Sequence, residues 1–525
     1  MSFCFQDFFK KASQFYTDLI PTDHFGAKMK SPAEDSPNHS GHNHSGCNHS
    51  GCNHSGQAAP NWRGSGQESP DDKNIPERNS PDPMGLNSEK PVQCNPSNSN
   101  KTQHIQNPQH IQNTQHIQNT HPTLWIQGQK SSSLTGKTVV LGVTGSIAAV
   151  RVVELARELI RNGAEVHAVM TDAARHILHP DAMYYATGNP VITELGGRVE
   201  HVEFCGLKGR ADLLLIAPAT ANTIGKIAHG IDDTSVTSFA TTALGSNVQV
   251  MIVPAMHESM YRHPAVVENI RKLKGWGIPF VGPKIEEGIA KISPNEEIIL
   301  ETERALCGEE LKGKRILITS GSTAESLDPI RILTNRASGK TGRELALEAY
   351  RKGAEVTLVH RDRLGFSGIM EIFAESAEEM TEAVQKELEK GYDVLISSAA
   401  IADYTVEQAP EKIKSGGELE LKLRPTRKVI KECRERHPAL LIVGFKAETG
   451  VPKEELLRRA AATLESSKLD MIAANDVLKG GMGTEENEIY LIRKGKCDPL
   501  HVSGNKRKIA ASILKEVAGI LIPQK

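Results

Sequence analysis

No apolar run in the chain reaches the roughly 18–20 residues needed to cross a bilayer. The opening "MSFCFQDFFKKASQFYTDLI" lacks the basic start and apolar core of an export signal. Strong charge of either sign is missing too. A formal net charge of −2 over 525 residues gives no general electrostatic case for nucleic acid or an anionic membrane. Cysteine is sparse: four of the eight lie in the first quarter, and Cys205, Cys307, Cys433 and Cys497 include no CxxC pair. A reduced, cytoplasmic protein is the simpler reading. Also missing is any GxGxxG followed by an acidic residue at the end of the next strand, which counts against a two-domain flavin or nicotinamide oxidoreductase.

Composition changes sharply near residue 133. Before it, "NHSGHNHSGCNHSGCNHSGQ" repeats every five residues and "QHIQNPQHIQNTQHIQNT" every six. Such stretches cannot bury enough apolar surface to offset ordering entropy, so residues 1–133 are expected to be a disordered extension. The His/Cys repeat could bind soft or borderline metal ions, and a chain whose working part is that metal-buffering tail is the non-enzymatic alternative. It leaves everything after residue 133 unexplained. Phe5, Phe8, Phe9, Tyr16 and Ile20 fit a short amphipathic helix.

What is present after residue 133 is a line written nearly twice. Residues 162–170 read "NGAEVHAVM" and residues 352–360 read "KGAEVTLVH". Each follows an apolar strand, a Gly-rich bend and a helical stretch, the opening β-loop-α-β of a nucleotide-binding sheet. The first begins "KTVVLGVTGSIAAV", where Gly142, Gly145 and Ser146 let backbone N–H groups approach an anion at a helix N-terminus. "ADLLLIAPATANTIGKIAHG" supplies a second buried strand ending in Pro218, Thr220 and Asn222, and "VQVMIVPAM" a third. Small polar residues at the carboxyl ends of such strands lie where open α/β sheets bind ligands. The expected fold is α/β: a flavodoxin-like three-layer domain over 134–305, then a Rossmann-like domain over 306–525.

"GVTGSIAA", "HVEF" with "ADLLLIAPATANTIGKIA", and "VPAMHESMYR" resemble the flavin-containing cysteine decarboxylases. The resemblance implies bound FMN and loss of carbon dioxide from a C-terminal cysteine, the flavin oxidising the thiol to a thioaldehyde that serves as electron sink. It puts His201 at the active-site histidine, acting on the substrate thiol. Gly145, Ser146, Thr171, Thr220, Asn222 and Ser238 fall at FMN positions; His257 and Met260 fall at substrate positions. The bacterial motif has Asn where this chain has His257. The flap segment "GPKIEEGIAKISPNEE" has no cysteine, so the final proton donor is open: Lys291 lies nearby, while Cys205, which shares a face with His201 if that stretch is helical, reads as a buried bystander. An active ligase beside an inert flavin domain is therefore the narrower alternative.

The second region follows "KRILITSGST" with "AESLDPIRILTNRASGKTG", placing Arg331, Asn335, Arg336, Ser338 and Lys340 before a helix, as a phosphate-bearing substrate requires. With "AAIADY", "PEKIK", "GFKAET" and "AANDV", it resembles phosphopantothenoylcysteine synthetase. That implies activation of the 4′-phosphopantothenate carboxylate by CTP with Mg2+, and attack by cysteine's amine on the acyl cytidylate. Lys412 matches the catalytic lysine and Asn335 the residue handling the acyl cytidylate. Arg331, Ser338 and Lys340 fall on the substrate side. Ser397, Ser398, Ala399, Asp403, Phe445 and Asn475 fall on the nucleotide side. Metal ligands are not identified. The family implies a homo-oligomer.

Overall fold

The computed structural model describes residues 121–286, 289–480, 483–496 and 498–522. The His-rich repeats, the amphipathic segment at 3–20 and Cys497 lie outside the described residues. Folded structure begins ahead of the composition break. Pro122–Ile126 is a 3-10 helix, and Leu124 and Ile126 pack on the first core, so apolar residues scattered in a polar stretch still found a surface to cover.

Four strands, β1 (Thr138–Val143), β2 (Glu165–Met170), β3 (Leu213–Ala219) and β4 (Gln249–Pro254), form a parallel sheet in the order β2-β1-β3-β4. Alternation splits their apolar residues between two cores, as strand geometry requires. Val139, Leu141 and Val143 face the helix Val152–Arg161, while Val140, Leu214 and Ile216 face the helices Ala221–His229 and Ser235–Gly245. Three short strands, β5 (Met256–His257), β6 (Lys284–Glu286) and β7 (Ile289–Lys291), make a separate antiparallel sheet, β5-β7-β6.

The second region holds an eight-stranded sheet. Its strands are β8 (Arg315–Thr319), β11 (Glu355–His360), β12 (Met370–Phe373), β13 (Val394–Ser397), β16 (Leu441–Glu448), β17 (Met471–Asp476), β18 (Glu486–Arg493) and β19 (Leu500–Asn505). The order is β12-β11-β8-β13-β16-β17-β18-β19, parallel as far as β17 and antiparallel beyond. Two hairpin-like pairs lie outside it: β9 (Ala324–Ser326) with β10 (Ile332–Thr334), and β14 (Tyr404–Val406) with β15 (Leu423–Pro425). Helices Lys340–Arg351 and Lys506–Leu521 cover one face; Ala377–Leu388, Val429–Arg436 and Lys453–Ser466 cover the other.

The helix Asn295–Cys307 spans the expected division at 305/306. Its Ile298 and Ile299 belong to the first core and its Leu300 to the second. Glu303, 1% exposed, accepts hydrogen bonds from Ser133 Oγ and Arg507 Nη2 at 2.5 Å and from Arg351 Nε at 2.7 Å. Burial works to raise its pKa, but the Arg351 and Arg507 charges and the Ser133 hydroxyl outweigh that and hold the carboxyl below its ordinary range.

Candidate functional site

Each sheet has one point where successive connections depart in opposite directions, between β1 and β3 in the first and between β8 and β13 in the second. The crevice beyond the strand ends at such a point is the ligand position of open α/β sheets. In both, a threonine at the end of the central strand holds the crevice walls. Thr144 Oγ1 donates to Pro218 O at 2.7 Å and accepts from Thr220 N–H at 3.1 Å. Thr319 Oγ1 accepts from Ala399 N–H at 3.2 Å, and Ser398 Oγ donates to Thr319 O at 2.6 Å. The sequence reading named neither threonine. Each is the polar residue that ends a buried apolar run, which is the signal that could have found it.

Around the first crevice the strand ends bring together Ser146, Thr171 and Thr220. All three cap helical turns: Ser146 Oγ accepts from Ala148 N–H, Thr171 Oγ1 from Ala174 N–H and Thr220 Oγ1 from Thr223 N–H. A Cβ on Gly145 would lie 2.6 Å from Ala173 Cβ, so the approach of these two turns by itself requires glycine there. Asn222 is exposed on the following helix, and Ser238 is buried with its hydroxyl donating to Asp232 O at 3.0 Å. His201 stands apart, on the short helix Glu200–Cys205 against the Phe239 ring. No hydrogen bond among the described residues ties it to the crevice, and its buried Nδ1 has no partner. A buried ring nitrogen left so is costly, about 1–3 kcal/mol.

The flap segment and His257 meet in the small sheet, where His257 pairs with Ile289 and Met256 with Ala290. His257 caps the helix Glu258–Tyr261 and its Nδ1 is bonded to Ser259; Met260 is exposed one residue further. Lys291 Nζ donates to Glu286 at 3.3 Å. Burial pushes the Cys205 thiol up to about 12, so it stays protonated and unreactive near neutral pH.

The second crevice gathers Ser397–Ala399 at the end of β13 with Phe445 on β16 and Asn475 on β17. Asn335 Nδ2 donates to Ala400 O at 3.0 Å, laying its loop over that end of the sheet. Ser338 and Lys340 line a cavity of about 170 Å³ with Ser320, Gly321 and His360. Gly342 permits this closeness, since a Cβ there would sit 2.3 Å from Ser320 Oγ and 2.9 Å from Ser398 Oγ. Arg331 is less available than the sequence implied: its Nη1 donates to Asp328 at 2.5 Å and to Ile413 O at 3.0 Å. Asp328 also accepts from the N–H groups of Ile330, Arg331 and Ile413. Burial would raise its pKa, but those four donors hold the carboxyl far below the ordinary range. The "PEKIK" segment is thereby fixed as an irregular loop, with exposed Lys412 beside the clamped Ile413. Asp403 is ion-paired with Lys428 at 2.5 Å, and Phe445 is packed partly against the core. No cluster of three or more His, Cys, Asp or Glu that could hold a metal occurs among the described residues.

The family model described as Flavoprotein matches residues 127–306, and that of the DNA/pantothenate metabolism flavoprotein C-terminal domain matches residues 311–521. The coenzyme A biosynthesis bifunctional protein CoaBC of Thermococcus kodakarensis is 48% identical over 406 residues, covering 76% of this chain and 100% of that protein. The chain belongs to the CoaBC family. The CoaBC protein of Methanocaldococcus jannaschii is 39% identical over 402 residues, covering 76% and 97% of the two chains. A crystal structure of the C-terminal domain of a CoaBC protein is 32% identical, covers 41% of this chain and 98% of that one, with a TM-score of 0.35. CoaBC membership accounts for the line written twice: it leads into β2 of the flavoprotein sheet and into β11 of the C-terminal sheet, each time after the opening strand.

Proposed function

We propose that this chain joins cysteine to 4′-phosphopantothenate through an acyl cytidylate made from CTP, and then decarboxylates the 4′-phosphopantothenoylcysteine it has formed. The observation that carries the reading is the pair of crevices, each walled by a threonine-tied strand end, inside a chain of the CoaBC family. The first crevice suits FMN: small hydroxyls line its mouth, tied to the strand ends by Thr144. When bound, the flavin supplies the oxidising capacity that lets a cysteine carboxylate leave as carbon dioxide. Ser146, Thr171 and Thr220 would hold it, and His201 would hold or move the proton of the substrate thiol.

In the second region Lys412 balances charge developing on the triphosphate, Asn335 handles the acyl cytidylate, and Ser397–Ala399 meet the nucleotide. A Mg2+ ion here would ride mainly on the nucleotide phosphates, as this ion commonly does. The Asp328 clamp ties the Lys412 loop to the loop that carries Arg331. Asp328→Asn should lower ligation by up to about a hundredfold through misplacement of that loop, while decarboxylation of supplied 4′-phosphopantothenoylcysteine stays at the wild-type rate. Equal loss of both activities would show general unfolding instead.

The deciding assay supplies purified protein with 4′-phosphopantothenate, cysteine, CTP and Mg2+ and follows products by mass spectrometry. Formation of 4′-phosphopantetheine with carbon dioxide supports both steps. Accumulation of 4′-phosphopantothenoylcysteine alone would leave a ligase with a silent flavoprotein region, and ATP working as well as CTP would remove the nucleotide assignment.

A further inference from the structure

The helix that carries His201 has little of its own to hold it. Glu200–Cys205 is six residues long, and its N-cap, Val199, supplies no side-chain hydrogen bond. Val199 itself stands at φ +54°, a strained setting for a β-branched residue. Ahead of His201 the tie is local: Glu200 accepts from Gly196 N–H at 2.9 Å, in the loop just before. A helix this short is not stable alone, so tertiary contacts toward its C-terminal end must place it.

Beyond the burial of Phe204 and Cys205, those contacts converge on Arg210. The chain turns back after Gly206, and Ala211 N–H donates to Phe204 O at 2.9 Å. The turn lays the Arg210 guanidinium over the Phe204 ring, 4.1 Å from its centre. Arg210 Nη2 donates to Glu203 on the same helix at 3.5 Å, and Nη1 donates to Glu165, at the start of β2, at 3.1 Å. Glu165 also accepts from His167 Nε2 at 2.7 Å. That ring nitrogen therefore carries a hydrogen, and the 3.4 Å approach of Arg210 to it is packing rather than a hydrogen bond. The buried His167 ring lies 4.5 Å from Phe204 between centres. Ring contacts continue from there, 6.2 Å from Phe204 to Phe239 and 6.5 Å from Phe239 to His201, within the range at which such rings interact.

We propose that Arg210 is a positioning residue for decarboxylation: it fastens the helix Glu200–Cys205 to β2 and, through Phe204 and Phe239, sets the place of the His201 ring. The assignment rests on the decarboxylase reading above. Arginine suits the task because its planar fork reaches two carboxylates while its flat face covers a ring, which an ammonium group cannot do. The Arg210 side chain is 44% exposed, and exposed ion pairs contribute little to stability. What this residue supplies is therefore placement more than folding energy.

Steady-state kinetics of the full chain, supplied with 4′-phosphopantothenoylcysteine, test this. Arg210→Met should lower kcat about 10–100-fold, the cost of a small misplacement of a reacting group, and leave KM, flavin content and the ligation rate unchanged. Arg210→Lys should recover part of the loss. Arg198→Met takes a different cation from Glu203, 3.1 Å away, without touching Phe204 or β2, and should keep the wild-type kcat. Arg210→Met combined with His201→Asn should be no slower than His201→Asn alone, because a positioning residue has nothing to act on once the ring is gone. An unchanged kcat in Arg210→Met, an equal loss in Arg198→Met, or losses that multiply in the double variant overturn the assignment. Flavin lost in proportion to activity does so too. If Arg210→Met does not fold, Arg210→Lys decides, and full activity there rejects the proposal. A wild-type chain that releases no carbon dioxide would sink the decarboxylase reading, and this assignment with it.

Discussion

Replacing His201 with Asn should leave 4′-phosphopantothenoylcysteine forming at the wild-type rate and slow its decarboxylation by about 10²–10⁴-fold, the usual worth of a positioned proton-transfer group. The ligated intermediate should accumulate in mass spectra of a reaction that otherwise runs through to 4′-phosphopantetheine. The reason lies in the ring itself. Its Nδ1 is buried without a partner, against Phe239, so the folded chain bears a desolvation penalty for a group it does not use structurally. His201→Leu should therefore unfold at an equal or higher temperature than the wild type while losing the same activity, the mark of a residue kept for chemistry at a cost in stability. A histidine that merely filled the core would show the reverse: lower stability, with decarboxylation within tenfold of normal. Flavin content, read from the visible spectrum, separates loss of the proton-transfer group from loss of the cofactor.

The largest effect on stability is expected at Glu303. Glu303→Gln leaves Arg351 and Arg507 facing a neutral amide in a buried site, and breaking a buried pair in this way costs about 3–5 kcal/mol. Its pH dependence has a definite sign. Because the native carboxyl is held below its ordinary range, its charge contributes fully above the unfolded value of about 4.3. That contribution is lost as pH falls through the depressed native value. The gap in thermal unfolding temperature between wild type and Glu303→Gln should be wide at pH 7 and close in acid below pH 4. A gap that stays constant with pH would mean that packing, not charge, is what the substitution disturbs.

The parallel strands were legible because they are unbroken apolar runs buried on both faces, as in "TVVLGV" and "LLLIAPA". The antiparallel pair β18–β19 was not. β18 does alternate, but one of its three buried positions is Asn487, and β19 buries only Val502; an edge of a sheet needs only one covered face. Site residues on strand ends could be placed from local pattern and resemblance. Those whose role depends on a distant partner could not: Asp328 with Ile413 and Glu303 with Arg507 meet across 85 and 204 positions. Arg331 shows the converse. A cation in a phosphate-like loop also carries an ion pair, to the carboxylate three residues earlier, that local pattern did not indicate.

The helix Asn295–Cys307 also says where this polypeptide can be cut. A C-terminal fragment begun at residue 306 would leave a leucine-sized hole where Leu300 sits, Arg507 without its counter-charge, and Arg351 with Glu348 alone. One begun at residue 295 would carry both fillings with it, at the expense of exposing Ile298 and Ile299 to water. Neither cut is clean. The dividing element has a side chain invested in each half, so two separately made pieces would compete for the same thirteen residues.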